Sequence, residues 1–168
     1  MHYCATQAFD QIGFVVDNLD QSIHHWLQHL GVGPWTVFRD IQLQGTYYGQ
    51  PVQVSMNVGL AYRGDLQIEL IQTTSQGPSP YRGVQGMHHM AWLVDDLDSA
   101  ITGLRERGLQ PVFEAGNAAT RVCYLENPAE PGVLFEVIEG AGLRQMIDHG
   151  IAQARDWDGE QPIRVIGA

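Results

Sequence analysis

Residues 11–23 read QIGFVVDNLDQSI, and residues 89–101 read HMAWLVDDLDSAI. At this offset of 78 residues, Val16/Val94, Asp17/Asp95, Leu19/Leu97, Asp20/Asp98 and Ile23/Ile101 are identical. A second match pairs Ile68-Glu69-Leu70-Ile71 with Phe135-Glu136-Val137-Ile138 at an offset of 67. A chain that repeats itself in this way builds one supersecondary unit twice. Each unit opens on a strand bearing Gln11 or His89 and closes on a strand bearing Glu69 or Glu136. The repeat therefore sets four side chains with metal-ligand chemistry in register.

Local patterns fill in the unit. Phe9 to Val16 is apolar and rich in β-branched residues, which predicts a strand. Ile23, Trp26, Leu27 and Leu30 recur at helical spacing behind Asp20, a candidate helix cap, and Gly31 and Gly33-Pro34 end that helix. Strands are expected at 35–41, 51–59 and 65–72. A polar loop from Thr73 to Gly86 joins the halves. The second half repeats the order, with strands at about 87–95, 110–114, 120–126 and 132–139 and a helix at about 97–107. The reading is α+β: two tandem β-α-β-β-β modules, about 8–72 and 87–139, in one domain spanning 1–168. Leu143 to Ala154 is a further amphipathic helix, and the tail to residue 168 has no period.

Composition narrows the function. The formal net charge is −10, and all nine basic residues are arginine. With no lysine, Schiff-base catalysis is excluded. An acidic chain also lacks the positive surface that general nucleic-acid binding requires. Cys4 and Cys123 form neither a disulfide framework nor a zinc knuckle. The N-terminal stretch lacks the basic start and apolar run of a signal peptide. No apolar run approaches the ~20 residues of a membrane helix. A cytoplasmic protein is expected.

The repeat resembles the vicinal oxygen chelate superfamily, which includes glyoxalase I, methylmalonyl-CoA epimerase, extradiol dioxygenases, and the bleomycin and fosfomycin resistance proteins. The resemblance covers roughly residues 8–139. It rests on Gly86-Met87-His88-His89-Met90-Ala91-Trp92 with Val94-Asp95-Asp96, on Leu104-Arg105-Glu106-Arg107-Gly108, and on Gly132-Val133-Leu134-Phe135-Glu136. Asp10-Gln11-Ile12 and Val15-Val16-Asp17 fall at the corresponding place in the first half. The resemblance implies paired modules in a curved mixed sheet around one divalent ion, held by Gln11, Glu69, His89 and Glu136. That set is similar to the one in zinc-type glyoxalase I, whereas the surrounding sequence looks more like the epimerase. The two comparisons favour different substrates. Epimerases of this family can carry a further catalytic Glu on the third strand, near which this chain has Gln53. Family members are often dimers, and a homodimer is expected.

One imidazole, one amide oxygen and two carboxylates suit Zn, Co, Ni, Mn or Fe. Such an ion acts as a Lewis acid toward adjacent substrate oxygens and stabilises the enolate or enediolate formed when a neighbouring C–H loses its proton. Glu136 and Glu69, on opposite sides, are candidates to take and return that proton. The expected activity is that of an isomerase, epimerase or lyase on a small carbonyl compound or acyl thioester. The alternatives are a metal-free binding protein like the bleomycin-sequestering members, and an extradiol dioxygenase. The dioxygenase chemistry wants a second His where Gln11 stands.

Arg121, Trp92 and Tyr48 are candidate substrate contacts, with Arg63, Tyr47, Tyr62, Trp35 and Met90 as further possibilities. Adjacent strand residues face opposite ways. Of the His88-His89 pair, His89 is therefore assigned to the site and His88 to the outer face or a subunit contact. His24, His25 and His29 read as a solvated helix face. The repeated aspartates read as turn and cap residues.

Overall fold

The structure, a computed structural model, describes residues 8–167. The N-terminal stretch with Cys4 lies outside the described residues. The first module comprises β1 (Gln11–Val15), α1 (Leu19–Leu30), β2 (Trp35–Tyr47), β3 (Gln50–Arg63) and β4 (Leu66–Thr73). The second comprises β5 (Gly86–Leu93), α2 (Leu97–Arg105), β6 (Gln110–Gly116), β7 (Arg121–Asn127) and β8 (Glu130–Glu139). α3 (Leu143–Arg155) and β9 (Ile163–Ile166) follow.

Asn18, two residues before the expected cap Asp20, accepts the Gln21 N–H at 3.0 Å and starts α1. Asp96 does the same for α2 through Ser99. Gly31, at φ 62°, supplies the left-handed residue that ends α1.

The strands form one mixed sheet in the order β3-β4-β1-β5-β8-β7-β6-β2-β9, and β2 also pairs with β3. The sheet is therefore an eight-stranded closed barrel, with β9 added in parallel beside the start of β2. The curved mixed sheet of paired modules is as expected, but β2 and β3 run well beyond the expected 35–41 and 51–59. Their far halves form a long hairpin, and Gln44 to Tyr47 cross to pair with Phe113 to Gly116 of β6. At that seam a Cβ on Gly45 would lie 1.9 Å from the Glu114 carbonyl oxygen, so glycine is what lets the two modules meet.

The repeat appears as a pseudo-dyad between β1 and β5. These strands run antiparallel, with Gln11 opposite Ala91 and Gly13 opposite His89. Each then takes its module's last strand in parallel, Gly13 beside Glu69 and Ala91 beside Glu136. Alternation sorts the side chains. Val54, Met56, Val58, Ile71, Val122 and Tyr124 fill the barrel. Ile12, Phe14, Ile68 and Leu70 face α1, and Trp92, Cys123, Leu125 and Val137 face α2.

Candidate metal centre

Alternation also carries Gln11, Glu69, His89 and Glu136 to the barrel interior from four adjacent strands of one chain. His89 is 1% exposed, Glu136 4% and Gln11 5%. Three oxygens converge on His89 Nε2: Glu136 Oε2 at 3.0 Å, Gln11 Oε1 at 3.2 Å and Glu69 Oε2 at 3.3 Å. Ligand atoms about 2.1 Å from a shared ion lie roughly 3.0–3.4 Å apart, so this spacing fits a metal group. Glu136 Oε2 is buried with no hydrogen-bond partner despite its closeness to His89, as expected of a lone pair aimed at a common point. Among the described residues, Glu69, His89 and Glu136 form a cluster able to hold a metal ion.

Gly13 makes room for the imidazole. A Cβ there would fall 2.0 Å from His89 Cε1. The Tyr124 ring lies against the other side of His89, with centroids 5.0 Å apart.

Gln11 is oriented by Gln67, which the sequence reading did not single out, and through it by Tyr62. Its Nε2 donates to Gln67 Oε1 at 2.8 Å, and Gln67 Nε2 donates to the Tyr62 hydroxyl at 2.6 Å. With the amide nitrogen committed, the oxygen is the atom presented to the site. Gln67 sits two residues before Glu69 on the same strand face, so the period-two rule would have found it.

His88 is the main correction. It is 6% exposed and lies inside, not on the outer face. Gly13 pairs with His89 and Phe14 with Met87, leaving His88 as the extra residue of a β-bulge. A bulge re-aims a side chain that alternation would send outward. His88 Nε2–H donates to the Pro80 carbonyl at 2.9 Å, and its Nδ1 lies 2.9 Å from His89 Nδ1. Burial, and then the neighbouring His89, lower its pKa to about 4, so His88 is neutral and its Nδ1 accepts from His89. This fixes His89 with its Nε2 toward the three oxygens. Outer partners of this kind typically contribute 10–100-fold in metal affinity. His88→Leu is expected to weaken metal binding by about that factor, whereas His88→Gln, which can still accept, should recover part of it. Equal affinity in all three proteins, by chelator competition, would remove His88 from this role.

The joining loop takes part in the site rather than merely linking modules. Besides the Pro80 carbonyl, it supplies Tyr81, whose hydroxyl lies 2.9 Å from that of Tyr124. Tyr124 pairs across strands with Glu136. Burial, and then Glu136, keep both phenols well above the usual tyrosine range, so both remain protonated donors. Burial also raises the Glu136 carboxyl, against the opposing pull of His89 and of the Tyr124 phenol.

The cluster borders a cavity of about 410 Å3 whose wall includes Gln11, Glu69 and Glu136. Leu143, Met146 and Ile147 of α3 complete that wall. α3 is held there by Arg144, whose guanidinium donates to Asp10 at 2.7 and 3.0 Å. Gly150 lies against the Tyr62 ring; a Cβ there would approach it to 2.1 Å.

The other expected contacts lie elsewhere. Trp92 packs under α2, because it is three residues from His89 and so on the opposite face. Tyr48 is 60% exposed at the β2–β3 turn and donates to Glu126. Arg121 is exposed and paired with Asp98 and Glu139. Arg63 donates to the Leu30 carbonyl. Trp35 is core, and Gln53 faces outward to Gln42. His24, His25 and His29 are exposed on α1.

Comparison with solved structures gives the same architecture. A hypothetical protein from Bacillus halodurans C-125 aligns over 79% of this chain and 93% of its own, at 22% identity and a TM-score of 0.55. Methylmalonyl-CoA epimerase from Mycobacterium tuberculosis aligns over 86% and 97%, at 22% identity and 0.56. A methylmalonyl-CoA epimerase in complex with methylmalonyl-CoA and NH4+ aligns over 79% and 94%, at 21% identity and 0.50. At these identities the likeness is one of fold. Among curated proteins no sequence matches significantly. Residues 10–124 match the Glyoxalase/Bleomycin resistance protein/Dioxygenase superfamily, and the chain belongs to that superfamily.

Proposed function

We propose that the protein is a divalent-metal-dependent isomerase, epimerase or lyase that transfers a proton at the carbon α to a carbonyl. The observation that carries this reading is the convergence of the Gln11, Glu69 and Glu136 oxygens on His89 Nε2 beside an apolar cavity. A divalent ion held by these four residues would supply a Lewis acid for charge developing on the carbonyl oxygen. Glu136 is the base: it is buried, its pKa is raised, and Tyr124 is its cross-strand partner. Glu69 stands at the pseudo-symmetric position; carrying a proton taken from solvent, it donates to the opposite face of the carbon, and Glu136 passes the proton it removed to solvent. The two carboxylates supply the base and acid that an epimerisation or isomerisation needs. The substrate is a small carbonyl compound; the neighbour that binds methylmalonyl-CoA supports an acyl thioester within that class. The reading extends to a cytoplasmic homodimer, checked by sedimentation, although the four side chains already meet within one chain.

The first test is metal content by elemental analysis of protein purified without chelator, with His89→Ala as control. About one divalent ion per chain, lost in the control, supports the reading. No metal, and none taken up on titration, would turn it toward a metal-free binding protein.

The metal-free protein has a pH signature. Burial alone would lower the His89 pKa, but Glu136 and Glu69 raise it to about 10. A raised histidine pKa stabilises the fold fully below its unfolded value, roughly 6.5, and that contribution fades as pH rises through about 10. Below pH 10 an incoming ion must displace the His89 proton. About one proton is expected to be released per ion at pH 7 to 8, measured calorimetrically in buffers of different ionisation enthalpy.

A further inference from the structure

We infer that the substrate group occupying the barrel is uncharged and apolar, of roughly a dozen non-hydrogen atoms. This rests on the metal-site reading and narrows its substrate class. The cavity of about 410 Å3 holds that many atoms at roughly 30 Å3 each. Beyond the ligand group, its wall is mainly aliphatic, including Ile41, Leu43, Val58 and Ile138 from the barrel and Leu143 and Ile147 from α3. The chain has no lysine, and none of its nine arginines lines the cavity among the described residues. Among the arginines adjacent in sequence to wall residues, Arg144 is committed to Asp10 and Arg121 to Asp98 and Glu139. Of the polar side chains at the rim, Asn117 is occupied by its own turn, its Oδ1 accepting the Ala119 and Thr120 N–H groups.

Away from the metal site, a substrate carboxylate or phosphate inside the barrel would therefore be buried without a cationic partner. Burying an unpaired charge is strongly unfavourable, whereas each buried methylene adds to affinity. Closure of the barrel by β2 and β6, with α3 along one side, makes the space a half-enclosed pocket.

The test uses the Co(II)-loaded full-length protein and hydroxamates, whose two adjacent oxygens chelate metals. Binding is read from the cobalt visible spectrum for acetohydroxamate, hexanohydroxamate, octanohydroxamate and suberic acid monohydroxamate. Affinity is expected to rise roughly fourfold per added methylene up to the octano chain. The terminal carboxylate of the suberic compound is expected to weaken binding more than tenfold relative to octanohydroxamate. Met146→Trp on α3 should weaken octanohydroxamate by a larger factor than acetohydroxamate, and an equal effect on both would count against the inference. If cobalt binds but chain length has no effect, or the suberic compound binds as tightly, the inference falls and the metal reading stands. If cobalt does not bind, the metal reading falls and takes the inference with it.

Discussion

Glu136→Gln is expected to keep the barrel and to reduce turnover by about 100-fold to 10,000-fold, the usual worth of a positioned general base. The amide has the shape of the carboxylate and can still face Tyr124, so the β7–β8 pairing should survive. What it lacks is basicity, and no other carboxylate occupies the same side: Glu69 comes from β4, across the pseudo-dyad. The measurement is substrate α-proton exchange in deuterated water, followed by NMR at saturating metal, with bound metal quantified in the same sample. Near-normal exchange would reject Glu136 as the base. Glu69→Gln provides the comparison, since exchange without net conversion in that variant would separate proton removal from proton return.

Gly13→Ala should have the second-largest effect, although it adds one methyl group and touches no proposed ligand chemistry. The new Cβ would sit 2.0, 2.4 and 2.6 Å from three atoms of the His89 ring. Neither side can yield easily, because Tyr124 lies against the ring and His88 holds its Nδ1. The ring must leave its position, and metal binding is expected to be lost. Overpacking of this kind costs about 1–3 kcal/mol, or several degrees of Tm for a chain of this size. The double variant Gly13→Ala/His89→Ala should be markedly less destabilised than the sum of the two single changes, since the clash is then gone. Unchanged metal affinity in Gly13→Ala would show that His89 is not confined as described.

Much of the site was legible because it lies on the repeated part of the chain. Glu69 and Glu136 look like ordinary outward-facing residues between apolar neighbours until the repeat aligns them and sets Gln11 over His89. Other sites were misjudged for identifiable reasons. Trp92 suits a pocket by its type, although counting from His89 places it under α2. His88 was sent outward by the alternation rule, which a bulge opposite Gly13 breaks. Tyr48 and Arg121 carry useful chemistry, but the strand ends place them at the surface.

By itself the sequence determined the two-module α+β plan, the pseudo-symmetry and the four converging side chains. Those follow from periods of 2 and 3.6 residues and from a repeat, all of which are local or internal to the chain. Only the tertiary structure decided that the sheet closes, that α3 walls one side of the cavity, and that the joining loop orients His89. Each depends on contacts between segments far apart in sequence: Gly45 against Glu114, Arg144 against Asp10, Pro80 against His88. Such contacts are set by how twisted strands and a helix end meet in space, and no periodicity along the chain encodes them.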